Sequence, residues 1–172
     1  MKKSFTLVEV LVVLSIIGIL SLMTFSGIRS SQSNLSVLRS GFALVSELRK
    51  AQEWALGQKD GKTNYGIYVR NGSSPNNPGE IILFSDENRD RRYQPREKKE
   101  DFILELKGLE KGVFVKSTTP YSPLNIVFEA PQPTIYFNNS ISSPESEIIL
   151  SNGSFDVKVK VNRAGLIWLQ AQ

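Results

Sequence analysis

The chain has 172 residues, 21 basic against 17 acidic, and contains neither cysteine nor histidine. Those absences exclude disulfides, Ser-His-Asp and Cys-His catalysis, and thiolate or imidazole metal sites. Only carboxylate or lysine chemistry remains and no motif marks it, so the expectation is a protein that is not an enzyme. Setting aside Lys2, Lys3, Arg29 and Glu9 leaves 18 basic and 16 acidic residues, too even a balance for an electrostatic nucleic-acid footprint.

In chain order, two lysines precede an apolar run over 5–28 whose only charge is Glu9. The 19 uncharged residues of 10–28 give a helix of about 29 Å against a hydrocarbon core of about 30 Å, long enough to span a bilayer. Lys2 and Lys3 favour a cytoplasmic N-terminus and an exported remainder. A cleavable secretory signal would have a shorter apolar region, about 7–15 residues, and an A-x-A-like end, which the candidates around Ser26 and Gly27 do not supply. Glu9 needs its own reason, because a carboxylate at mid-membrane costs about 2.5–3.5 kcal/mol. An interfacial acid close to Lys2 and Lys3 is one account.

The string Lys2-Lys3-Ser4-Phe5-Thr6-Leu7-Val8-Glu9, continued by an apolar helix, resembles the class III (prepilin) signal of type IV pilins and pseudopilins. The resemblance implies that a prepilin peptidase cuts between Ser4 and Phe5 and methylates the new amine of Phe5, with Glu9 as the family's acidic residue. The residue before the cut is usually Gly; here it is Ser4, which is also small. Cleavage turns the amide nitrogen of Phe5 into an amine with a pKa of about 7.7–8.0. In a bundle of parallel helices Glu9 of one subunit can pair with the Phe5 amine of a neighbour staggered by about one turn, which favours the correct stagger more than net stability. A pair within one chain, one turn apart, suits the helix dipole equally.

Residues 29–34 are polar and mark the exit from the bilayer. From residue 35 to 56 an amphipathic pattern places Leu38, Gly41, Val45, Leu48, Gln52 and Ala55 on one face, flanked by Val37, Leu44 and Leu56, with Arg39, Ser46, Lys50 and Glu53 opposite. No proline precedes Pro75, so one helix of roughly 78 Å is predicted over 5–56, with Gly18 and Gly27 its soft points. Trp54 projects toward the polar side; either a strand or loop of its own domain covers it or a neighbouring subunit does.

Beyond Gly57 short alternating runs are divided by turn signals. Strands are predicted over 64–70, 80–85, 102–107, 113–117, 125–129, 134–137, 147–150, 154–161 and 166–169. The last two form a hairpin with Val157, Val159 and Val161 inward and Lys158 and Lys160 outward. Asn-x-Ser strings at Asn34, Asn71, Asn138 and Asn152 read as turn chemistry. The expected fold is α+β: a long N-terminal helix packed on a domain of antiparallel sheets. Its parts are a leader (1–4), a transmembrane and filament-core helix (5–28), an amphipathic continuation (29–57) and a β-rich exported domain (58–172).

The string ELRKAQEWALGQ at the helix end, the strand-rich body and the closing KVKVNRAGLIWL look like the GspH/FimT group of minor pseudopilins. The group implies a pilin-like fold and an accessory subunit of a type II secretion pseudopilus, a type IV pilus or a DNA-uptake pilus. Implied partners are the prepilin peptidase, a major pilin or pseudopilin, other minor subunits and an inner-membrane assembly platform. The implied location is the inner membrane, single-pass, then the filament. DNA-binding members carry a Gly-Arg-x-Arg motif near the C-terminus. Here the turn reads Asn162-Arg163-Ala164-Gly165-Leu166-Ile167. Lys158, Lys160 and Arg163 are the candidate phosphate contacts, but no arginine follows Gly165, so nucleic acid is an unfavoured partner. A remoter alternative is an anchored domain that never polymerises.

One further string spans 86–97, DENRDRRYQPRE. It places Asp86, Asn88, Asp90 and Glu97 at positions 1, 3, 5 and 12 of a calcium-binding loop. Position 6 should be Gly and is Arg91. Arg89, Arg91, Arg92 and Arg96 offset the acids, so the expectation is a solvated loop without calcium, held by local ion pairs and by packing of Tyr93.

Overall fold

The computed structural model describes residues 6–61, 64–94, 101–106, 108–130 and 134–171; the side chains of 22–31, 60 and 101–106 are outside the description. Ser4, Phe5 and Glu97 therefore lie outside the described residues. The chain divides into two compact units, Met1–Leu35 and Ser36–Gln172. The boundary falls within the single long helix, α1, Leu7–Leu56.

In the first unit α1 opens on Thr6, whose hydroxyl accepts the Glu9 N–H at 3.3 Å. This is the usual cap for amides that have no partner in the first turn. Every side chain from 6 to 21 is exposed. The two hydroxyls in that stretch, Ser15 and Ser21, donate back to the carbonyls of Leu11 and Ile17, both at 2.8 Å, so neither needs water. Among the described residues no helix is long and apolar enough to cross a membrane. The described side chains of the 5–28 stretch stop at residue 21.

The second unit is α+β: the 36–56 part of α1 packed on two antiparallel sheets, as expected. In chain order the strands are β1 (Asn64–Arg70), β2 (Glu80–Asp86), β3 (Asp101–Leu106), β4 (Phe114–Thr119), β5 (Leu124–Glu129), β6 (Thr134–Phe137), β7 (Glu145–Ser151), β8 (Asp156–Asn162) and β9 (Ile167–Ala171). The first sheet has the order β3-β2-β1-β5-β6 and the second β4-β7-β8-β9. Each predicted strand is present, with ends moved by a residue or two. The β8–β9 hairpin pairs Val157 with Ala171 and Val161 with Ile167. Val157, Val159 and Val161 are fully buried, as their alternation requires.

One core joins the three layers. Val37, Leu44, Leu48, Ala51 and Ala55 of α1 meet Ile67, Val69, Leu83 and Ile126 of the first sheet and Ile148, Leu150, Val157 and Val159 of the second. The helix face differs from the predicted one. Leu56 is 49% exposed, whereas Ser40 and Glu47 are buried, and Trp54 is half-buried against the core. The cause is close approach at Gly41, where an added Cβ would stand 2.7 Å from Leu169 Cδ1 and 3.0 Å from Val157 Cγ1. With α1 pressed there, the flanks of Gly41 turn toward the sheets. Trp54 is covered by its own domain: its ring meets Tyr65 edge-on at 5.8 Å, and the Lys59 ammonium lies 3.4 Å from the ring centroid.

Sheet one is apolar on its outer face too. Tyr68, Ile82, Phe84, Tyr93 and Val127 form a second buried cluster there. This explains why β1 and β5 are buried on both sides instead of alternating. Gly66 makes room for it, since a Cβ would stand 2.8 Å from Phe84 Cζ. Asn34 lies within α1, not in a turn; the helix ladder there outweighs the local preference of asparagine. Asn71, Asn138 and Asn152 do sit at chain reversals, and Asn152 Oδ1 accepts the amides of Ser154 and Phe155 at 2.9 and 2.8 Å.

Candidate functional site

The sequence marks three places, and the structure gives each a different character. At the N-terminal end, Glu9 is exposed in the first turn of α1, where a carboxylate suits the amide dipoles. Thr6 and Glu9 have the Thr-x-x-Glu spacing of a capping box, with the Thr6 half formed. From Leu7 to Leu20 the large apolar side chains are about half exposed or more, with Leu7 at 77% and Val10 at 48%. A helix apolar on all sides, with its hydroxyls satisfied internally, is chemically suited to lipid or to other apolar helices.

At the hairpin of β8 and β9, Lys158 and Lys160 stand on the solvent side of β8, and both face carboxylates of β7. Lys158 Nζ is 3.5 Å from Glu147, and Lys160 Nζ is 3.5 Å from Glu145 and 3.4 Å from Glu147. The hydrogen bond to Glu147, with Glu145 beside it, holds the Lys160 pKa above its ordinary value. Arg163 is exposed in the following turn and lines a shallow cavity of about 270 Å³ with Thr134, Ile135 and Ile141. Two of the three candidate cations thus already have anionic partners, a pairing that register between β7 and β8 imposes and that the linear sequence does not display.

The third place is the turn after β2. Asp86, read as the first loop residue, instead ends β2 and is 4% exposed. Its Oδ2 accepts the Arg91 N–H at 3.1 Å and the Asn64 side-chain amide at 3.4 Å. Asn88 Oδ1 accepts the Asp90 N–H at 3.0 Å, and Asp90 Oδ1 accepts the Arg92 N–H at 2.8 Å. Gln94 donates to the other Asp90 oxygen. Arg89 and Arg91 have φ of 62° and 64°, the left-handed conformation for which position 6 usually employs Gly. Arg91 therefore makes the turn that its Cβ was expected to discourage. Its side chain leaves the loop, pairing with Glu129 at 3.0 Å and covering the Tyr136 ring at 3.8 Å.

Tyr93 then enters the outer cluster against Tyr68 and Phe84, at ring distances of 5.0 and 5.5 Å. Its amide is held by Asn125 Oδ1 at 2.9 Å, and the Asn125 amide by Asn138 Oδ1 at 2.7 Å. Asn125 was not singled out from the sequence and Asn138 only as turn chemistry; the β5–β6 pairing brings the two together. With Tyr68, Arg92, Tyr121 and Pro123 they line an open cavity of about 540 Å³.

Burial pushes the Asp86 carboxyl above its ordinary pKa, and the charge of Asp90 adds to the effect, while hydrogen bonds from the Arg91 amide, the Asn64 side chain and the Arg89 amide oppose it. Asp156 goes the other way, lowered chiefly by its hydrogen bond with Lys116. Asp86 Oδ1 is buried with no hydrogen-bond partner. Among the described residues no three His, Cys, Asp or Glu side chains gather as metal ligands, and Glu97 lies outside the described residues.

Compared with known families, residues 1–25 match the family model described as the prokaryotic N-terminal methylation motif. No curated protein and no solved structure matches the chain. The matched motif is the signal of type IV pilin-like subunits, and it implies processing by a prepilin peptidase.

Proposed function

We propose that this chain is a minor pilin or pseudopilin of the GspH/FimT kind, a non-enzymatic structural and assembly subunit of a type II secretion pseudopilus or a type IV pilus. It is cut between Ser4 and Phe5, methylated on Phe5, and held in the inner membrane by the 5–28 helix with the β-rich domain exported. It then joins a filament of a major pilin and other minor subunits, Glu9 pairing with the Phe5 amine of a neighbour. The observation that carries this reading is the methylation motif over 1–25, supported by the continuation of that motif into a helix exposed on all sides from 7 to 21. Nucleic-acid binding is the weaker reading, because Lys158 and Lys160 lie against Glu145 and Glu147 and phosphate would have to displace those partners.

Co-expression with a prepilin peptidase followed by mass spectrometry of the N-terminus tests the proposal. The expected product begins at N-methylated Phe5. An intact precursor, or a cut near Ser26, would overturn it.

A further inference from the structure

We propose that the open cavity on the outer face of the first sheet is a saccharide-binding site that selects acidic sugars, with Tyr121 as the stacking face and Asn138 and Arg92 as donors. The proposal stands apart from the pilin reading and rests on the chemistry of the cavity wall.

The cavity holds about 540 Å³, within the range of about 300–1,000 Å³ typical of small-ligand clefts. Its first support is an unused donor. Asn138 lines the cavity and is 6% exposed. Its Oδ1 accepts both the Asn125 N–H at 2.7 Å and the Asn125 side-chain amide at 3.3 Å, so the group cannot be turned over without setting donor against donor. Nδ2 is thereby fixed as the remaining atom, and it is buried with no hydrogen-bond partner. Buried donors are ordinarily paired, and an acceptor oxygen seated against this wall would complete the set.

The second support is that the wall is already held in place. The Asn138 N–H donates to the Asn125 carbonyl at 2.8 Å, and Asn125 Oδ1 accepts the Tyr93 N–H at 2.9 Å. Donors fixed in this way lose little freedom when a ligand arrives.

The third support is the composition of the wall. Tyr121 is 57% exposed and Arg92 is exposed beside it on the same cavity, and none of the described lining residues is acidic. A sugar ring has a C–H face that packs on an aromatic ring and a rim of oxygens that accept from amides. A carboxylate on that ring supplies the charge that a guanidinium matches as a fork. An added peptide strand fits less well: Tyr68 and Asn125 belong to β1 and β5, inner strands paired on both sides, so no strand edge is free there. A nucleic-acid strand fits less well too, because it requires cations along its backbone and Arg92 is the cation among the described lining residues.

The full chain, purified in a detergent without a sugar headgroup, would be titrated by calorimetry with trigalacturonate, trimannuronate and a hyaluronan tetrasaccharide. Neutral galactotriose, decaproline and a thymidine octanucleotide would be run beside them. Saturable binding of at least one acidic sugar is expected, about tenfold tighter than galactotriose, as one charge-assisted contact implies. Tyr121→Ala and Arg92→Gln change exposed side chains and should fold, as circular dichroism would verify. They should weaken binding by about fivefold and tenfold respectively, and Arg92→Gln should also erase the preference for acidic sugars. Asn138→Asp keeps the acceptor for Asn125 and loses the Nδ2 donor, so a folded variant should also bind about tenfold more weakly; if it does not fold, the two surface variants decide. Absence of heat with all three acidic sugars would overturn the proposal, as would unchanged affinity in Tyr121→Ala and Arg92→Gln. Equal affinity for galactotriose would overturn the selection of acidic sugars. Tighter binding of decaproline or the octanucleotide, weakened by the same variants, would overturn the assignment to saccharide.

Discussion

Two stretches of the same helix, 7–21 and 37–55, solve the burial of apolar side chains in opposite ways. The first is interrupted only by Glu9, Ser15, Gly18 and Ser21, and no face of it is covered: Ile17 is 53% exposed. The second alternates apolar residues with Arg39, Ser46, Arg49, Lys50 and Glu53, and one face of it is sealed: Leu44 and Leu48 are at 1% and 0%. A stripe needs one wall, which the sheets of the same chain supply. An all-round apolar surface needs an apolar environment on every side, and the described residues contain none for it. Stability and anchoring should therefore be separable by mutation along one continuous helix.

The largest expected effect separates them from the core side. Leu48→Ala removes a fully buried side chain from the junction of the layers and should cost about 2–5 kcal/mol of folding stability. Thermal melts of the full chain would read this as a clear drop in Tm, with the fraction recovered in carbonate-washed membranes unchanged. Leu14→Lys probes the other stretch. Placed near the middle of an uncovered apolar surface, a lysine should oppose insertion by about 2.5–3.5 kcal/mol, emptying the membrane fraction while leaving the Tm in detergent where it was. A fall in Tm for Leu14→Lys would break the comparison by showing that the first stretch has a partner in its own chain. Glu9→Ala should have the smallest effect on the chain itself. Membrane content should stay the same, and, on the proposed pairing of Glu9 with a neighbour's amine, incorporation into sheared filaments should fall several-fold. Equal incorporation would remove the pairing role of Glu9.

Much of the fold could be read from the pattern alone, for identifiable reasons. The strands are short, β-branched and bounded by Asn-Gly or Asp-Gly turns, so their positions are local information. The face of α1 was less legible: Gly41 and Leu48 lie on it as predicted, but Ser40 and Glu47 are polar and carry no apolar mark of their burial, while the apolar Leu56 is exposed. The outer cluster on sheet one was missed, since a strand buried on both faces gives no alternation to read. For the candidate sites, the methylation motif is a contiguous string and needs no tertiary contact to be recognised. The 86–91 turn was half legible. Its donor spacing is in the sequence, whereas the burial of Asp86 and the departure of Arg91 toward Glu129, 38 residues away, exist only once β2 and β5 flank β1.

The seat of Gly41 on Leu169 and Val157 also bears on when the domain can exist at all during biosynthesis. The helix precedes in the chain the strands against which it closes, so it is made well before them. Gln52 reaches the carbonyl of Gly165 across 113 residues. Until β8 and β9 emerge, the inner face of α1 has only the first sheet to rest on, and half of its wall is missing. Contacts this distant in sequence form slowly and late. The inner face of α1 therefore stays partly open until β8 and β9 are in place.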